Sequence, residues 1–272
     1  MNKSIVALAL YFLTASYGLA QWSVSETQHY VAPAGLEFEG IQVSLKGRTE
    51  QVDVVSFNPK KLSFGVMDDP ERFFNLETAS KKRGALAAVN GGYFQPDRTP
   101  VGLVIRQGHQ LHALQHSPLL SGVLVVTKTQ TSILRVGEFK PSPNILEALQ
   151  AGPFLIDGGK AVSGLNRLRV AARTVVFIDN SGRCGFLNCH SATLAETADI
   201  LLTPGLIGPG RRITRALNLD GGSSTGLWVA AKPVYYQPEG KDVRNYLAIV
   251  PRVPVAPVPA KSKTAVKERK GL

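Results

Sequence analysis

Cysteine is nearly absent. Only Cys184 and Cys189 occur in 272 residues, which excludes a disulfide-dense scaffold and leaves the fold to its apolar core. Acidic residues are scarce too, 20 against 31 Lys and Arg, for a formal net charge of +11. Charged residues amount to 19% beside 44% hydrophobic, a balance that excludes disorder over most of the length. The 26 Gly and 17 Pro follow no period, so the chain is not collagen-like and carries no internal repeat. Past the first twenty residues no apolar run is long enough to span a bilayer. The Gly-rich loops lack the Gly-Lys-Ser/Thr ending of a nucleotide P-loop. No dense basic stripe or recognisable module points to nucleic acid, and His109, His112 and His116 match no zinc spacing.

What is present begins with a leader. Lys3, an apolar run from Ile5 to Tyr17 and the small residues Gly18 and Ala20 read as a secretory signal peptide over 1–20, cleaved before Gln21. The expected location is periplasmic or extracellular. At the other end, Pro251, Pro254, Pro257 and Pro259 precede Lys261, Lys263, Lys267, Arg269 and Lys270. Residues 251–272 therefore read as a linker and a basic disordered tail suited to an anionic envelope surface. If Arg183–His190 is a straight strand, the two cysteines point to opposite faces about 16 Å apart, beyond the roughly 7 Å that a disulfide allows. A loop at Gly185–Asn188 would let them pair.

Between these ends lies one expected domain, 21–250. Alternation marks strands at Leu36–Leu45 and Gln51–Phe57. A short helix ends near Arg83-Gly84, and Ala85–Val89 runs as a strand into Asn90-Gly91-Gly92-Tyr93. Further strands are expected at Val101–Ile105, His109–His112 and Gly122–Thr127. Asn144 and Glu147 resemble a capping box for a helix over Ile145–Leu149. Hairpins follow at Phe154–Val162 and Thr174–Leu187, then a helix capped by Thr193 and Glu196. Ile213–Leu219 leads into Asp220-Gly221-Gly222-Ser223-Ser224, and Tyr246–Val250 is the last strand. Short strands with few helices imply an α+β fold, a single domain on mixed or antiparallel sheet.

Two Gly-rich turns carry the chemistry. Glycines let a ligand approach main-chain N–H groups, and Asp220 follows a strand end with exposed amides and two hydroxyls beside it. The plain alternative is two tight turns in which Asn and Asp cap their own backbone. Residues about 45–252 resemble the phosphodiester glycosidase family. The resemblance rests on Asn90-Gly91-Gly92-Tyr93-Phe94, Pro100-Val101-Gly102-Leu103, Gln150-Ala151-Gly152-Pro153-Phe154-Leu155, Arg173-Thr174 and Asn218-Leu219-Asp220-Gly221-Gly222-Ser223-Ser224, in that order. Ser223 stands where the family usually has a third glycine.

The family's known activity removes N-acetylglucosamine from a mannose-6-phosphodiester. The resemblance thus implies a hydrolase acting on a glycosyl phosphodiester or other anionic glycan. Asp220 is expected as base or nucleophile, Arg173 as the phosphate fork, and Asn90 as the group orienting the sugar. Gly91, Gly92, Tyr93, Gly152, Thr174, Gly221, Gly222, Ser223 and Ser224 are expected around the substrate. Asp157 and Asp179 rank lower, because Asp is common at hairpin turns, and either could instead hold Arg173 in an ion pair. No cofactor is required by this reading. One alternative uses Asp220, Asp179 and Asn90 to bind Mg²⁺ or Ca²⁺ for P–O cleavage. Another is a non-catalytic binding module for anionic glycans.

Overall fold

The computed structural model describes residues 21–69, 71 and 74–252. The expected leader, Phe73 and the tail beyond Arg252 lie outside the described residues. In chain order the first elements are β1 (Ser23–Tyr30), β2 (Leu36–Leu45), β3 (Arg48–Phe57), β4 (Leu62–Asp68) and helix α1 (Leu76–Arg83). Then come β5 (Ala87–Asn90), β6 (Val104–Arg106), β7 (His109–His112), β8 (Gly122–Thr127), β9 (Thr131–Arg135) and β10 (Ile145–Ala151). The chain continues through β11 (Phe154–Asp157), β12 (Lys160–Ala161), β13 (Ala171–Asp179), β14 (Cys184–Ala192) and helix α2 (Leu194–Leu201). It closes with β15 (Ile213–Asn218), β16 (Leu227–Val229), β17 (Tyr235–Gln237) and β18 (Asn245–Pro251).

Every described strand pair is antiparallel, and the strands form three sheets. An eight-stranded sheet has the order β1-β2-β3-β14-β13-β15-β11-β12; the five-stranded sheets are β7-β6-β10-β8-β9 and β17-β16-β5-β18-β4. The expected α+β class is what is observed. Period-2 alternation builds the layers. Val55, Phe57, Val176 and Phe186 face a central core shared with Phe64, Val89, Leu124 and Leu247 of the five-stranded sheets. Val52, Val54, Val175 and Phe177 face the other way, under α2. The central strands of the eight-stranded sheet are therefore buried on both sides, while its edge strands β1 and β12 are exposed.

Local chemistry sets the connections. Lys46 and Gly47, both at positive φ (49° and 81°), close the β2–β3 hairpin, the geometry a two-residue turn needs to match strand twist. Helix α2 starts on the expected capping box, with Glu196 N donating to Thr193 Oγ1 at 3.1 Å and Thr193 N to Glu196 Oε2 at 2.9 Å. Helix α1 ends at Gly84, φ 65°.

Two expectations fail. Ile145–Leu149 is not helical but lies in β10, hydrogen-bonded to β6 and β8 on either side. Pairing on both edges outweighs a single cap, and Glu147 turns inward to accept from Val66 N at 3.2 Å. Pro251 and Arg252 belong to the fold rather than to a linker. Pro251 ends β18, and Arg252 N donates to Lys61 O at 3.0 Å.

Cys184 and Cys189 are free. Their strand β14 is straight, so Cys184 packs in the central core and Cys189 in the core under α2. Burial pushes the Cys184 thiol up to about 12.

Candidate functional site

The site lies where β5 of one sheet and β15 of another release the chain. Asn90 ends β5, and its Nδ2 donates to Asp220 O at 2.6 Å; Asp220 N donates back to Gly91 O at 3.1 Å. The two Gly-rich turns thus brace each other. Asn245 at the start of β18 holds the first turn, accepting from Gly91 N on its carbonyl and from Gly92 N on Oδ1, both at 2.8 Å. A Cβ on Gly91 would stand 2.0 Å from that Oδ1, which is why glycine is needed there.

Asp220 is half-buried and its carboxylate is fixed at both oxygens. Oδ1 accepts from Gly221 N at 2.9 Å, and Oδ2 from the buried Ser224 hydroxyl at 2.5 Å. Ser224 closes a 3₁₀ turn, Gly222–Ser224, that Gly222 enters at φ 62°. The amides of Gly221 and Ser224 are thus engaged inside the loop, Ser224 N reaching Gly221 O at 3.3 Å. Any amide contact to an anion narrows to Gly222 and Ser223. The Ser223 side chain is exposed and does not line the cleft.

Arg173 is 8% exposed on β13. Its Nε donates to Ala192 O at 2.9 Å and its Nη2 to Arg169 O. Among the described residues no carboxylate pairs with it. The two expected rivals are held elsewhere: Asp157 pairs with Arg135 at 2.9 Å and Arg215 at 3.3 Å, and Asp179 with Arg211 at 2.7 Å. Burial pulls the Arg173 pKa below the ordinary guanidinium value. Arg211 and the turn donors around Asp179 outweigh its burial and hold that carboxyl below its ordinary range.

Tyr93 completes the polar wall. Its hydroxyl donates to Gly152 O at 2.7 Å and accepts from Asn218 Nδ2 at 3.0 Å. Burial, then the nearby Asp220 carboxylate, raises its pKa well above the usual phenol value, so it stays a donor. Gly152 has no room for a side chain, since a Cβ would stand 1.9 Å from Leu119 O.

Tyr93, Arg169, Arg173, Asn218 and Asp220 line one cleft of about 270 Å³, with Gly221, Gly222, Leu119, Pro153 and Leu194 around them. The expected residues Asp220, Arg173, Tyr93, Gly221 and Gly222 are brought together. Asn90 and Thr174 are not in the lining. Asn90 is 1% exposed, its Oδ1 taking the Thr174 hydroxyl at 2.7 Å and Gly226 N at 3.3 Å. Expected to orient a sugar, Asn90 instead positions the Asp220 loop from behind. Asp157 and Asp179 lie outside the cleft. Asp179 is six residues from Arg173 along β13, about 20 Å at 3.3 Å per residue. The Asp220, Asp179 and Asn90 ligand set is therefore not assembled, and no group of three His, Cys, Asp or Glu among the described residues could hold a metal. His112 instead contacts Gly102 O through Nδ1 at 2.9 Å.

Sequence reasoning missed Arg169, Asn166 and Asn218. Asn166 fixes the segment beneath Arg169 by accepting from Leu168 N at 3.0 Å and Arg169 N at 2.8 Å. An Asn followed two residues on by an apolar and a basic residue is a weak Asx-turn cue. It gives no hint of the cleft.

The phosphodiester glycosidase family model matches residues 83–250. An uncharacterized protein of Escherichia coli K12, YigE, is 32% identical over 116 residues, 39% of this chain and 45% of that protein. The chain thus aligns with about half the length of that curated relative. Among solved structures, the zebrafish N-acetylglucosamine-1-phosphodiester alpha-N-acetylglucosaminidase catalytic domain superposes with a TM-score of 0.62 at 17% identity, covering 85% of this chain and 89% of that one. A hypothetical protein from Synechocystis gives a TM-score of 0.56 at 19% identity, over 79% and 62%. At these identities the superpositions speak for the fold.

Proposed function

The chain belongs to the phosphodiester glycosidase family, and from that premise we propose that it is an exported hydrolase cleaving the bond between a sugar C1 and a phosphodiester in an envelope or extracellular glycan. The observation that carries the reading is one cleft lined by both a pinned carboxylate, Asp220, and a buried guanidinium, Arg173, that has no carboxylate partner among the described residues. Ordinary glycoside hydrolases use two carboxylates, one to protonate the leaving oxygen. A phosphodiester leaves as a stable anion and needs cations and N–H donors instead. Arg173 and Arg169 supply the cations, while Tyr93, its one proton already given to Gly152 O, shapes the wall rather than donating to the phosphate. Asp220 takes the proton of the water that attacks C1, or attacks C1 itself to give a glycosyl ester that water then cleaves; in both cases the C1–O bond breaks toward phosphate. No step calls for a cofactor.

The deciding measurement is turnover of a sugar-1-phosphodiester by the purified protein and by Asp220→Asn, with melting temperature on the same preparations. Turnover should fall by about 10² or more, the scale of a positioned acid–base group, with melting nearly unchanged. Normal turnover in a stable mutant would end the case for Asp220. Chelator should leave the wild-type rate intact; equal loss with chelator would favour metal-dependent P–O cleavage. Binding without any turnover would favour a glycan-binding module. Export rests on residues 1–20, and the mass of the secreted protein should begin at Gln21.

A further inference from the structure

We infer that the substrate is a glycosyl phospholipid, with hydrocarbon on the far side of the phosphodiester, and that the segment 163–170 seats in the lipid surface carrying it. This rests on the proposed function, whose cleft it extends. Among the described residues, six large apolar side chains are exposed; Leu119, at 47%, lines this cleft, and Leu168 at 89% and Val170 at 52% sit next in sequence to its lining residues Arg169 and Ala171. Single exposed apolar residues are ordinary; grouping at the mouth of a polar site is not. Arg169, Ala171 and Arg173 line the cleft, and Leu168 and Val170, alternating with them, stand out into solvent. Leu119, from a separate loop, lines the same cleft.

The segment is also built to hold them out. Asn166 accepts from Leu168 N and Arg169 N, Ala195 N donates to Asn166 O at 3.1 Å, and Arg173 donates to Arg169 O. Two hydrogen bonds inside the segment and two from Ala195 and Arg173 outside it hold Leu168 in water, where its side chain gains nothing from folding, so its apolar surface is available to something else. Arg167 and Arg169 flank it. Apolar tips between cations are what an anionic lipid surface takes, hydrocarbon below and headgroup phosphate at the guanidinium level. The acid near Arg167 is Asp199 of α2, and Arg169 faces the cleft itself. The geometry then orders the substrate: lipid chain along Leu119 and Leu168, phosphate at Arg169 and Arg173, sugar C1 toward Asp220.

Two measurements on the full chain test this separately from catalysis. Sedimentation with phosphatidylglycerol vesicles should retain the wild type, and Leu168→Ser should weaken retention about tenfold, the transfer of one leucine side chain. Phosphatidylcholine vesicles should retain little. In turnover, Leu168→Ser should lose about tenfold on a glycosyl phospholipid in vesicles and stay within twofold on a water-soluble glycosyl phosphodiester. Leu168 is exposed, so the variant should fold, and Val170→Ser is the second variant of the same kind. Equal loss on both substrates, or vesicle retention unchanged by both variants, would overturn the inference. No turnover of either substrate, with lipid retention intact, would instead sink the proposed reaction and leave the lipid contact standing.

Discussion

Arg173 keeps its charge in a place that gives it only two carbonyl oxygens. Burying an ion without a counter-ion is costly, and the open side of the guanidinium faces a cleft where an anion would neutralise it. Arg173→Lys keeps the charge but not the fork, so one ammonium must replace the bonds to Ala192 O, Arg169 O and the phosphate. We expect kcat/KM on a soluble sugar phosphodiester to drop at least about tenfold, the worth of one charged hydrogen bond. A near-normal rate would make Arg173 structural. Gly91→Ala acts by a different route. Its methyl would overlap Asn245 Oδ1, so the protein should lose about 2 kcal/mol or more in a denaturant titration, and activity with it. Residues of this kind were legible from sequence where the backbone announces them: Gly91, Gly152 and Gly221 lie in motifs. Arg169 lies in no motif, and Asn218 lies in one but its role was not legible, because both roles come from neighbours brought in by other strands.

At the scale of elements, hairpins and caps could be read because their signals are local. Thr193 with Glu196, and the turns after Asp157 and Asp179, specify their own geometry. Strand β10 could not, since a local Asn-x-x-Glu cue competes with pairing partners about 20 and 40 residues earlier, β8 and β6. Nor was β16 legible, three residues that are all buried and show no alternation. Strand β4 was missed although Leu62, Phe64 and Val66 alternate with Ser63 and Gly65. The misplaced Glu147 has a measurable effect. Burial raises its carboxyl to about 7, so between its unfolded value near 4.5 and pH 7 the native state holds a proton that the unfolded chain has lost. Stability therefore falls as pH rises through that window, by on the order of 3 kcal/mol. His190, raised by its bond to Asp53, adds a loss of the same sign above pH 6.5. Glu147→Gln should flatten the melting profile between pH 4.5 and 7 and leave the His190 part. A variant with the wild-type slope would refute the assignment.

For the whole molecule, the layered core decides the cysteines. One strand sends Cys184 and Cys189 into different layers, so reductant should change neither the mass nor the melting temperature, and a thiol reagent should label the protein only as it unfolds. A two-hydrogen mass difference between reduced and untreated protein would contradict this. The layering has another consequence, for the order of events when the chain folds. The cleft is tied by Asn90 to Asp220, by Tyr93 to Gly152 and by Gly92 to Asn245, contacts spanning 130, 59 and 153 residues. Closing such distances is the slow part of folding. Hairpins such as β2–β3 and β13–β14 can form early, yet a ribosome must release Asn245 before the Gly91-Gly92 turn has its acceptors. Recovered activity should thus trail recovered strand signal in refolding, and a nascent chain stopped before β18 should carry every residue of the cleft lining and still be inert.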